Sequence, residues 1–443
     1  RRGQGMKRMT VMPRRRLLAT ASAAALPLPA LPLPALAQAK PEKLVFVGDN
    51  GPWHYCLVEE VAPAFRQETG IEVDFTLLPI DALSARLQAE LNSGAPDIDI
   101  IQWTATFAGW LAPHMADHAK LLADSASQHP DFDWDDFLPP VRELASYQGK
   151  LLGIPYRVTT DILAYQKPLL AEAGFATPPG NWDDFLAAAK ATTKPPGRYG
   201  LGIWGRQGPA MLGGFSPFLY GNGGRYFDPK TLEIEINAPQ AVEALAFYGD
   251  LMTRYKVVVP DAITWEYDEI VAGGQHDRYA MAITLAPYGT LMNDPKLSQT
   301  AGHWAFAQTP GRHAASDSRV ALNGWTFGVP AAGKNTEWAF AFIQFATSKK
   351  WMRRSLERGN APPRTSVLTD PSVLDRFGWA PIMAQALQTS RLEPREPYWP
   401  SMELALRRGI SAVLLGQQTA KPALDEVARD WQRAMRRAGV KQG

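Results

Sequence analysis

Cysteine is almost absent from this sequence. Cys56 is the only cysteine among 443 residues, so the chain can form no internal disulfide and no cysteine-based metal cluster. No base motif lies near Cys56, and we interpret it as a small buried hydrophobic residue. Histidine is scarce as well. His114 and His118 have a spacing that zinc accepts, but no third ligand motif accompanies them, and the sequence therefore predicts no metal centre.

The motifs of common enzymes and cofactor sites are also missing. The glycine-rich stretch at residues 213–224 lacks the Gly-Lys-Ser/Thr of a P-loop and the strand-to-helix context of a dinucleotide loop. No nucleophile elbow occurs either. We therefore expect a protein that has no cofactor and is not an enzyme. A secreted glycoside hydrolase with two catalytic carboxylates stays open as an alternative, because sequence alone cannot establish which carboxylates form a pair.

The chain lacks a strong charge of either sign. Its 46 Lys and Arg residues stand against 44 Asp and Glu residues, which gives a net charge of +2. Residues 1–39 contain seven of the basic residues and no acid, which leaves 39 basic against 44 acidic residues in the remainder. This balance gives no support for nucleic-acid binding.

Residues 1–39 are a different kind of sequence from the rest. Three arginines at residues 14–16 precede a small, apolar run at residues 19–36, and residues 37–39 match a small-residue cleavage site. Four prolines interrupt the apolar run, which disfavours a stable membrane helix. The pattern predicts a twin-arginine-like signal peptide over residues 1–39 and export to the periplasm. No lipobox cysteine follows it, so we expect a free periplasmic protein.

The remaining chain is too long for one ordinary core, which predicts two lobes. Its first part alternates strands with helices, a pattern that predicts a parallel sheet covered by helices. The predicted elements include strands at residues 43–48, 71–75 and 96–101 and a helix at residues 81–92. Ligands of such sheets bind beyond the carboxyl ends of the strands, where Asn50, Trp53 and Trp103 lie. These three residues are therefore candidate ligand-binding residues.

The stretch at residues 151–189 carries the most information about architecture. Gly153 and Pro155 predict a turn, and the β-branched and aromatic residues from Val158 to Tyr165 predict a strand. This stretch resembles the segment where the chain first crosses between lobes in the extracellular solute-binding proteins of ABC transporters, especially the sugar-binding, maltose-binding-protein-like kind. The resemblance covers roughly the whole chain after residue 39. It implies an α/β periplasmic binding protein fold of two lobes, each a mostly parallel sheet flanked by helices, joined by hinge crossings.

The resemblance also implies a set of ligand-binding residues. In that family a strand like the one at residues 96–101 ends in an aromatic residue that faces the sugar, which here is Trp103; the alternative is that Trp103 packs on a helix at residues 107–111. Tyr288 stands where the family has an aromatic residue that stacks on the sugar. Arg364 ends a Gly-x-x-Pro-x-Arg pattern and either donates to the ligand or bonds to loop carbonyls. The crossings near residues 153–167 and 320–330, with further aromatic residues, complete the predicted site: Tyr156, Arg157, Trp204, Asn323, Gly324, Trp325 and Trp399.

By the same resemblance, the protein is expected to be the substrate-binding component of an ABC importer. It would capture a sugar or related polyhydroxylated solute in the cleft between the lobes and deliver it, as a monomer, to a membrane permease. Lobe 1 would comprise residues 40–157 and 322–370, and lobe 2 residues 158–321 and 371–443. A receptor of the same fold for a polyamine or another small solute is an alternative, since the loop at residues 266–268 supplies acids.

Overall fold

The computed structural model describes residues 38–124, 129–228 and 230–440. The predicted signal peptide lies almost wholly outside the described residues. The strands are β1 (Lys43–Asp49), β2 (Glu72–Leu78), β3 (Ile100–Thr104), β4 (Ser146–Tyr147), β5 (Lys150–Leu151), β6 (Ile154–Thr159), β7 (Asp161–Gln166), β8 (Tyr199–Gly202), β9 (Tyr279–Leu285), β10 (Trp304–Ala307), β11 (Ala321–Gly328) and β12 (Arg391–Leu392).

Helices cover the sheets on the outside. They are α1 (Ala62–Thr69), α2 (Ile80–Asn92), α3 (Ala108–Leu111), α4 (His118–Ala123), α5 (Pro139–Leu144), α6 (Lys167–Glu172), α7 (Trp182–Thr192), α8 (Ala210–Gly221), α9 (Pro239–Thr253), α10 (Tyr267–Gln275), α11 (Tyr288–Met292), α12 (Thr336–Ala346), α13 (Lys349–Glu357), α14 (Thr365–Leu368), α15 (Pro371–Arg376), α16 (Trp379–Leu387), α17 (Trp399–Leu414) and α18 (Ala420–Arg437). Within the described ranges, none of them combines the length and the apolar character that crossing a membrane requires.

The first sheet has the strand order β12-β11-β3-β1-β2, and β6 pairs with β11. The strand β1 runs parallel to both β2 and β3, which confirms the parallel core predicted for this part of the chain. Successive residues of β1 point to opposite faces, so Leu44 and Phe46 enter one apolar cluster while Val47 enters another. Burial on both faces explains why residues 44–47 of β1 are all apolar.

The second sheet has the order β10-β7-β9-β8 and is mixed, where a mostly parallel sheet was predicted. The strand β7 is antiparallel to both β10 and β9, and only β8 and β9 run parallel. A parallel pair needs a long crossover connection, and α8 to α10 provide one between β8 and β9. The apolar cluster around this sheet takes its side chains mainly from α7, α8, α9, α17 and α18.

The chain changes sheet at a single residue. The strand β6 ends at Thr159 in the first sheet and β7 begins at Asp161 in the second, so only Thr160 separates them. The chain returns between β10 and β11 and passes over again between β12 and α17. The helices α15 and α16 contribute Val373 and Met383 to the apolar cluster around the first sheet, although residues 371–443 were predicted to belong to lobe 2. The lobe boundaries themselves stay a prediction.

Candidate functional site

A cavity of ≈ 390 Å³ lies where β6, β7 and β11 carry the chain between the two sheets. Its walls come from both sides: β3 and α2 belong to the first sheet and its helices, and α8, α10 and α17 pack with the second. Six of the twelve predicted site residues line it: Trp53, Arg157, Trp204, Asn323, Gly324 and Trp325. The structure thus brings together residues that stand up to 272 positions apart in the chain.

One wall of the cavity is an aromatic ring stacked on a cation. Trp53 follows β1 in a short 3-10 turn, and its Nε1–H donates to Asp49 Oδ1 over 3.2 Å. The guanidinium carbon of Arg157 lies 4.0 Å from the centroid of the Trp53 ring, a cation–π contact. Arg157 is 2% exposed, and its Nε and Nη2 have no hydrogen-bond partner among the described residues. The guanidinium therefore lies over the ring while two of its donors stay available.

Further aromatic rings from the second sheet's side complete the apolar part of the wall. The ring of Tyr267, at the start of α10, lies 6.3 Å from that of Trp53 and 5.8 Å from that of Trp204. Trp204 is buried beside Gly213 of α8, where an added Cβ would come within 2.9 Å of the ring. Trp325 of β11 also lines the cavity. Flat apolar faces of this kind bury C–H groups, and the cavity thus offers them next to unpaired polar atoms.

The helix α17 contributes one face to the cavity. Pro400, Glu403, Leu404 and Arg407 recur at helical spacing and line the space. Arg407 is paired with Glu403 on the same helix, and its Nη1 lies 3.6 Å from Oδ1 of Asp81 on α2. Asp81 is three-quarters exposed, so this second ion pair bridges the two sides at the mouth of the cavity.

Two buried carboxyl groups line the same cavity as Arg157. Asp161, the first residue of β7, is fully buried, and neither carboxyl oxygen has a partner in the described part of the chain. Burial raises the pKa of Asp161 to about 8. Burial, helped by the negative charges of Glu403 and Asp161, raises the pKa of Glu393 to about 8 as well. Both groups are therefore largely protonated at neutral pH while the cavity holds no ligand.

A second polar layer lies behind Trp53. Burial raises the pKa of Asp49 to about 7, although the Trp53 hydrogen bond and the charge of Arg157 oppose the shift. Burial and the charge of Arg157 lower the pKa of His54 to about 3, so this imidazole is neutral. Asn50 is exposed and lines a smaller cavity of ≈ 230 Å³ that shares Trp53 and Tyr267 with the larger one. The structure therefore places Asn50 next to the main cavity and outside it.

Strand alternation explains why two predicted residues point away from the cavity. Trp103 of β3 packs in an apolar cluster with Phe107 and Leu111, while its neighbour Thr104 lines the cavity. Tyr156 stacks on Phe327, with ring centroids 4.2 Å apart, and donates its O–H to the backbone oxygen of Trp53. Neighbouring residues of a strand face opposite sides of the sheet. Because Thr104 and Arg157 face the cavity, their neighbours Trp103 and Tyr156 face away from it.

Two more predicted residues pack inside the protein and do not reach the cavity. Tyr288 begins α11 and is buried in the apolar cluster around the second sheet. Trp399 is fully buried against Tyr226 and Trp431, one helical turn before Glu403 on α17. Neither Tyr288 nor Trp399 lines the cavity, because both rings pack in the apolar cluster around the second sheet.

Arg364 is a structural residue in this fold. Its Nε and Nη2 donate to the backbone oxygen of Thr347, and its Nη1 donates to the backbone oxygen of Asp133 and to Asp136 Oδ2. The side chain is fully buried, and its guanidinium carbon lies 4.2 Å from the centroid of the Phe137 ring. Of the two alternatives for Arg364, the bonds to loop carbonyls are the ones present.

The sequence interpretation did not include Asp161, Glu393, Glu403 and Arg407 among the site residues. One signal was available for Asp161, which is an acid within an otherwise apolar strand directly after Arg157 and the two threonines. Glu403 and Arg407 stand four apart on a helix and are indistinguishable in sequence from an ordinary surface ion pair. Only the tertiary fold brings that helix face to the cavity.

Comparison with known proteins defines the class. The chain matches the family model of bacterial extracellular solute-binding proteins over residues 57–353, and it belongs to that family. A crystal structure of an ABC transporter solute-binding protein from Agrobacterium vitis S4, with bound D-mannitol, has a TM-score of 0.79 to this chain and is 25% identical, covering 90% of this chain and 99% of the other. The predicted two-lobe α/β fold of periplasmic binding proteins is thereby confirmed.

Two relatives differ in the solute for which they are named. The mannitol-binding protein of Pseudomonas aeruginosa is 24% identical over 403 residues, which is 83% of this chain and 87% of the relative. A probable amino-acid ABC transporter periplasmic-binding protein of Sinorhizobium fredii is 24% identical over 387 residues, 86% of each chain. All three similar proteins are named for binding a solute or for its transport.

Proposed function

We propose that this protein is the substrate-binding component of an ABC importer, and that it captures a polyol or a sugar of monosaccharide size in the ≈ 390 Å³ cavity. The observation that carries the proposal is the combination of three tryptophan rings with the two partnerless donors of Arg157 in one buried space. The mannitol-binding relative and the mannitol-bound neighbour support the solute class.

The size of the cavity supports a small solute. Its volume lies near the lower end of the range of roughly 300–1,000 Å³ that small-molecule sites span. The apolar C–H face of a polyol or sugar would pack on Trp53, Trp204 and Trp325. Its hydroxyl oxygens would accept hydrogen bonds from Arg157, whose donors otherwise remain unsatisfied in a buried place.

The charges of the cavity favour a neutral solute over a polyamine. Burial keeps Asp161 and Glu393 largely protonated near neutral pH, and Glu403 is paired with Arg407. Arg157 has no ion-pair partner among the described residues and would repel an ammonium group. The polyamine alternative therefore has less support.

The same two acids weaken the hydrolase alternative. Glycosidic-bond cleavage needs one protonated and one ionised carboxyl group. Burial raises the pKa of Asp161 and of Glu393 to about 8, so neither would serve as the ionised partner at neutral pH. A protein that binds its solute without changing it agrees better with this electrostatic pattern.

Delivery of the solute follows from the family. A protein of two lobes closes on its ligand because the closed state binds it more tightly, and the closed form would then dock on a membrane permease. We further propose that residues 1–39 export the protein to the periplasm as a twin-arginine-like signal and that it acts there as a monomer. Tagging the chain with and without residues 1–39 and locating each form by fractionation tests the export step; equal periplasmic amounts would contradict it.

A thermal-shift panel tests the solute class. The panel contains ribitol, D-mannitol, maltose, spermidine and single amino acids. Each would be added to the wild type, to Trp204→Ala and to the control Trp338→Ala. The indole of Trp338 lies outside the cavity and donates to the backbone oxygen of Gln38. We expect polyols to raise the melting temperature of the wild type and of the Trp338 variant only. A ligand at 100 times its Kd stabilises by about 2.7 kcal/mol. A shift with spermidine or an amino acid, and none with any polyol or sugar, would contradict the proposal.

A further inference from the structure

Asp161 occupies an unusual position for an acid. It is the first residue after Thr160, where the chain leaves the first sheet, and its side chain is fully buried. Both of its carboxyl oxygens lack a partner among the described residues. A buried polar group without a partner is costly and rare in folded proteins. The cavity is the space that it lines, so a partner for these oxygens has to come from there.

No donor of the described residues makes a hydrogen bond to the carboxyl oxygens of Asp161. A Cβ built on Gly213 would lie 3.3 Å from Asp161 Oδ1 and 2.9 Å from Cζ3 of Trp204, so bare helix backbone lies beneath the carboxyl group. The ring of Trp204 flanks it. Glu393, Tyr220 and Tyr267 lie within electrostatic range of Asp161, and Arg157 and Arg407 line the same cavity.

We propose that Asp161 is the residue that determines solute specificity, and that it binds two neighbouring hydroxyl groups of the solute, one at each carboxyl oxygen. This inference rests on the proposed function and adds a named determinant to it. Arg157, four residues earlier and on the other sheet, donates to solute oxygens, whereas Asp161 accepts from solute hydroxyls. Hydrogen bonds from two hydroxyls favour the ionised carboxylate, so the proton that Asp161 holds in the ligand-free protein is released when the solute binds. A solute that fills the cavity therefore needs acceptors at one end and adjacent hydroxyl donors at the other, which a vicinal diol over the Trp204 face provides.

The expected penalty for a missing hydroxyl is large. A site built around a buried acceptor discriminates strongly against an analogue that leaves the acceptor unpaired. Removing one of the two hydroxyls from the solute is expected to weaken binding about 10- to 100-fold. The apo protein should not lose stability when Asp161 is replaced, because the carboxyl group has no partner to lose.

Titration calorimetry with matched ligand and protein changes tests this. The ligands are the tightest binder among D-mannitol, ribitol and D-sorbitol and the monodeoxy analogues of that polyol. Their affinities would be measured on the wild type, Asp161→Asn and Asp161→Ala. Asp375→Asn is the control, because it makes the same chemical change on an exposed residue of α15. We expect Asp161→Ala to bind the parent polyol at least tenfold more weakly. The penalty for two adjacent deoxy positions should vanish in that variant and persist in Asp375→Asn.

Three results would overturn the inference. Asp161 variants that bind the parent polyol like the wild type exclude the contact. Deoxy penalties that are the same in all variants exclude the paired hydroxyls. A 1-amino-1-deoxy polyol that binds the wild type more tightly than its parent, with that gain lost in Asp161→Asn, assigns the carboxyl group to an ammonium. If the wild type binds none of the polyols and no sugar of monosaccharide size, the proposed function itself fails, which separates the two conclusions. The isosteric Asp161→Asn keeps the test available should Asp161→Ala not fold.

Discussion

Replacing Arg364 with alanine should destabilise the protein strongly and leave the affinity of the folded protein for its solute unchanged. The guanidinium fastens three separate parts of the chain: the end of α12 through Thr347, the loop before α5 through Asp133 and Asp136, and its own segment before α14. It does not line the cavity.

The magnitude follows from what the substitution leaves behind. The ion pair between Arg364 and Asp136 is buried, with side-chain exposures of 0% and 8%. Removing one partner of a buried pair typically costs about 3–5 kcal/mol, because the other charge stays buried without compensation. Asp136 keeps its bonds from the backbone N–H and the hydroxyl of Ser366, which moderates the loss, but the backbone oxygens of Thr347 and Asp133 lose charge-assisted donors. We expect a loss of about 3–5 kcal/mol.

Urea unfolding and calorimetric titration measure the two halves of this prediction. Arg353→Ala is the matched control, since Arg353 pairs with Asp370 on the surface, where such pairs contribute about 0–1 kcal/mol. A loss below about 1 kcal/mol for Arg364→Ala, equal to that of the control, would refute the structural role. An intact stability with weakened solute binding would instead make Arg364 a ligand-binding residue.

Three further predictions concern the cavity. Gly213→Ala should weaken solute binding about tenfold or more in a titration, because the added Cβ displaces the ring of Trp204; an unchanged Kd would contradict this. Because burial raises the folded-state pKa of Asp161 and Glu393 to about 8, the ligand-free protein binds more protons than the unfolded chain between about pH 4 and pH 8, and its stability should fall as the pH rises through that window. Urea unfolding across that pH range measures the free energy of unfolding, and its dependence on pH should be weaker in Asp161→Asn than in the wild type. The same pH dependence in both proteins would contradict the prediction. Asp81→Asn should weaken solute binding no more than about fivefold, and the effect should vanish at 1 M salt, because the ion pair of Asp81 with Arg407 across the mouth of the cavity is exposed. A larger or salt-independent effect would contradict a role limited to this exposed ion pair.

The sequence predicted the strands and helices better than it predicted which of their residues face the cavity. The strands and helices of the first sheet follow from periodicity, because each buries alternate or helically spaced apolar residues. The same periodicity argues against Trp103 and Tyr156 as cavity residues once Thr104 and Arg157 are known to line it. Sequence alone does not say which of two neighbouring strand residues faces a cleft that several distant segments build.

Contacts across the chain explain the remaining differences. Glu403 and Arg407 reach the cavity only because α17 packs against the second sheet's side after the last crossing, more than 230 residues beyond Asp161. The mixed second sheet has a similar origin, since the direction of β7 depends on its passing into a new sheet after a single residue. Neither relation leaves a local signal in the sequence.

A crystal structure of the protein grown with saturating D-mannitol would show where the solute binds. We expect one polyol molecule in the cavity between β6, β7 and β11, with its C–H face on the tryptophan rings. Its oxygens should lie within hydrogen-bond distance of Arg157 Nε or Nη2, and two adjacent hydroxyls should lie on Asp161. A polyol bound at any other place, or a cavity that holds only water at saturating polyol, would contradict this expectation.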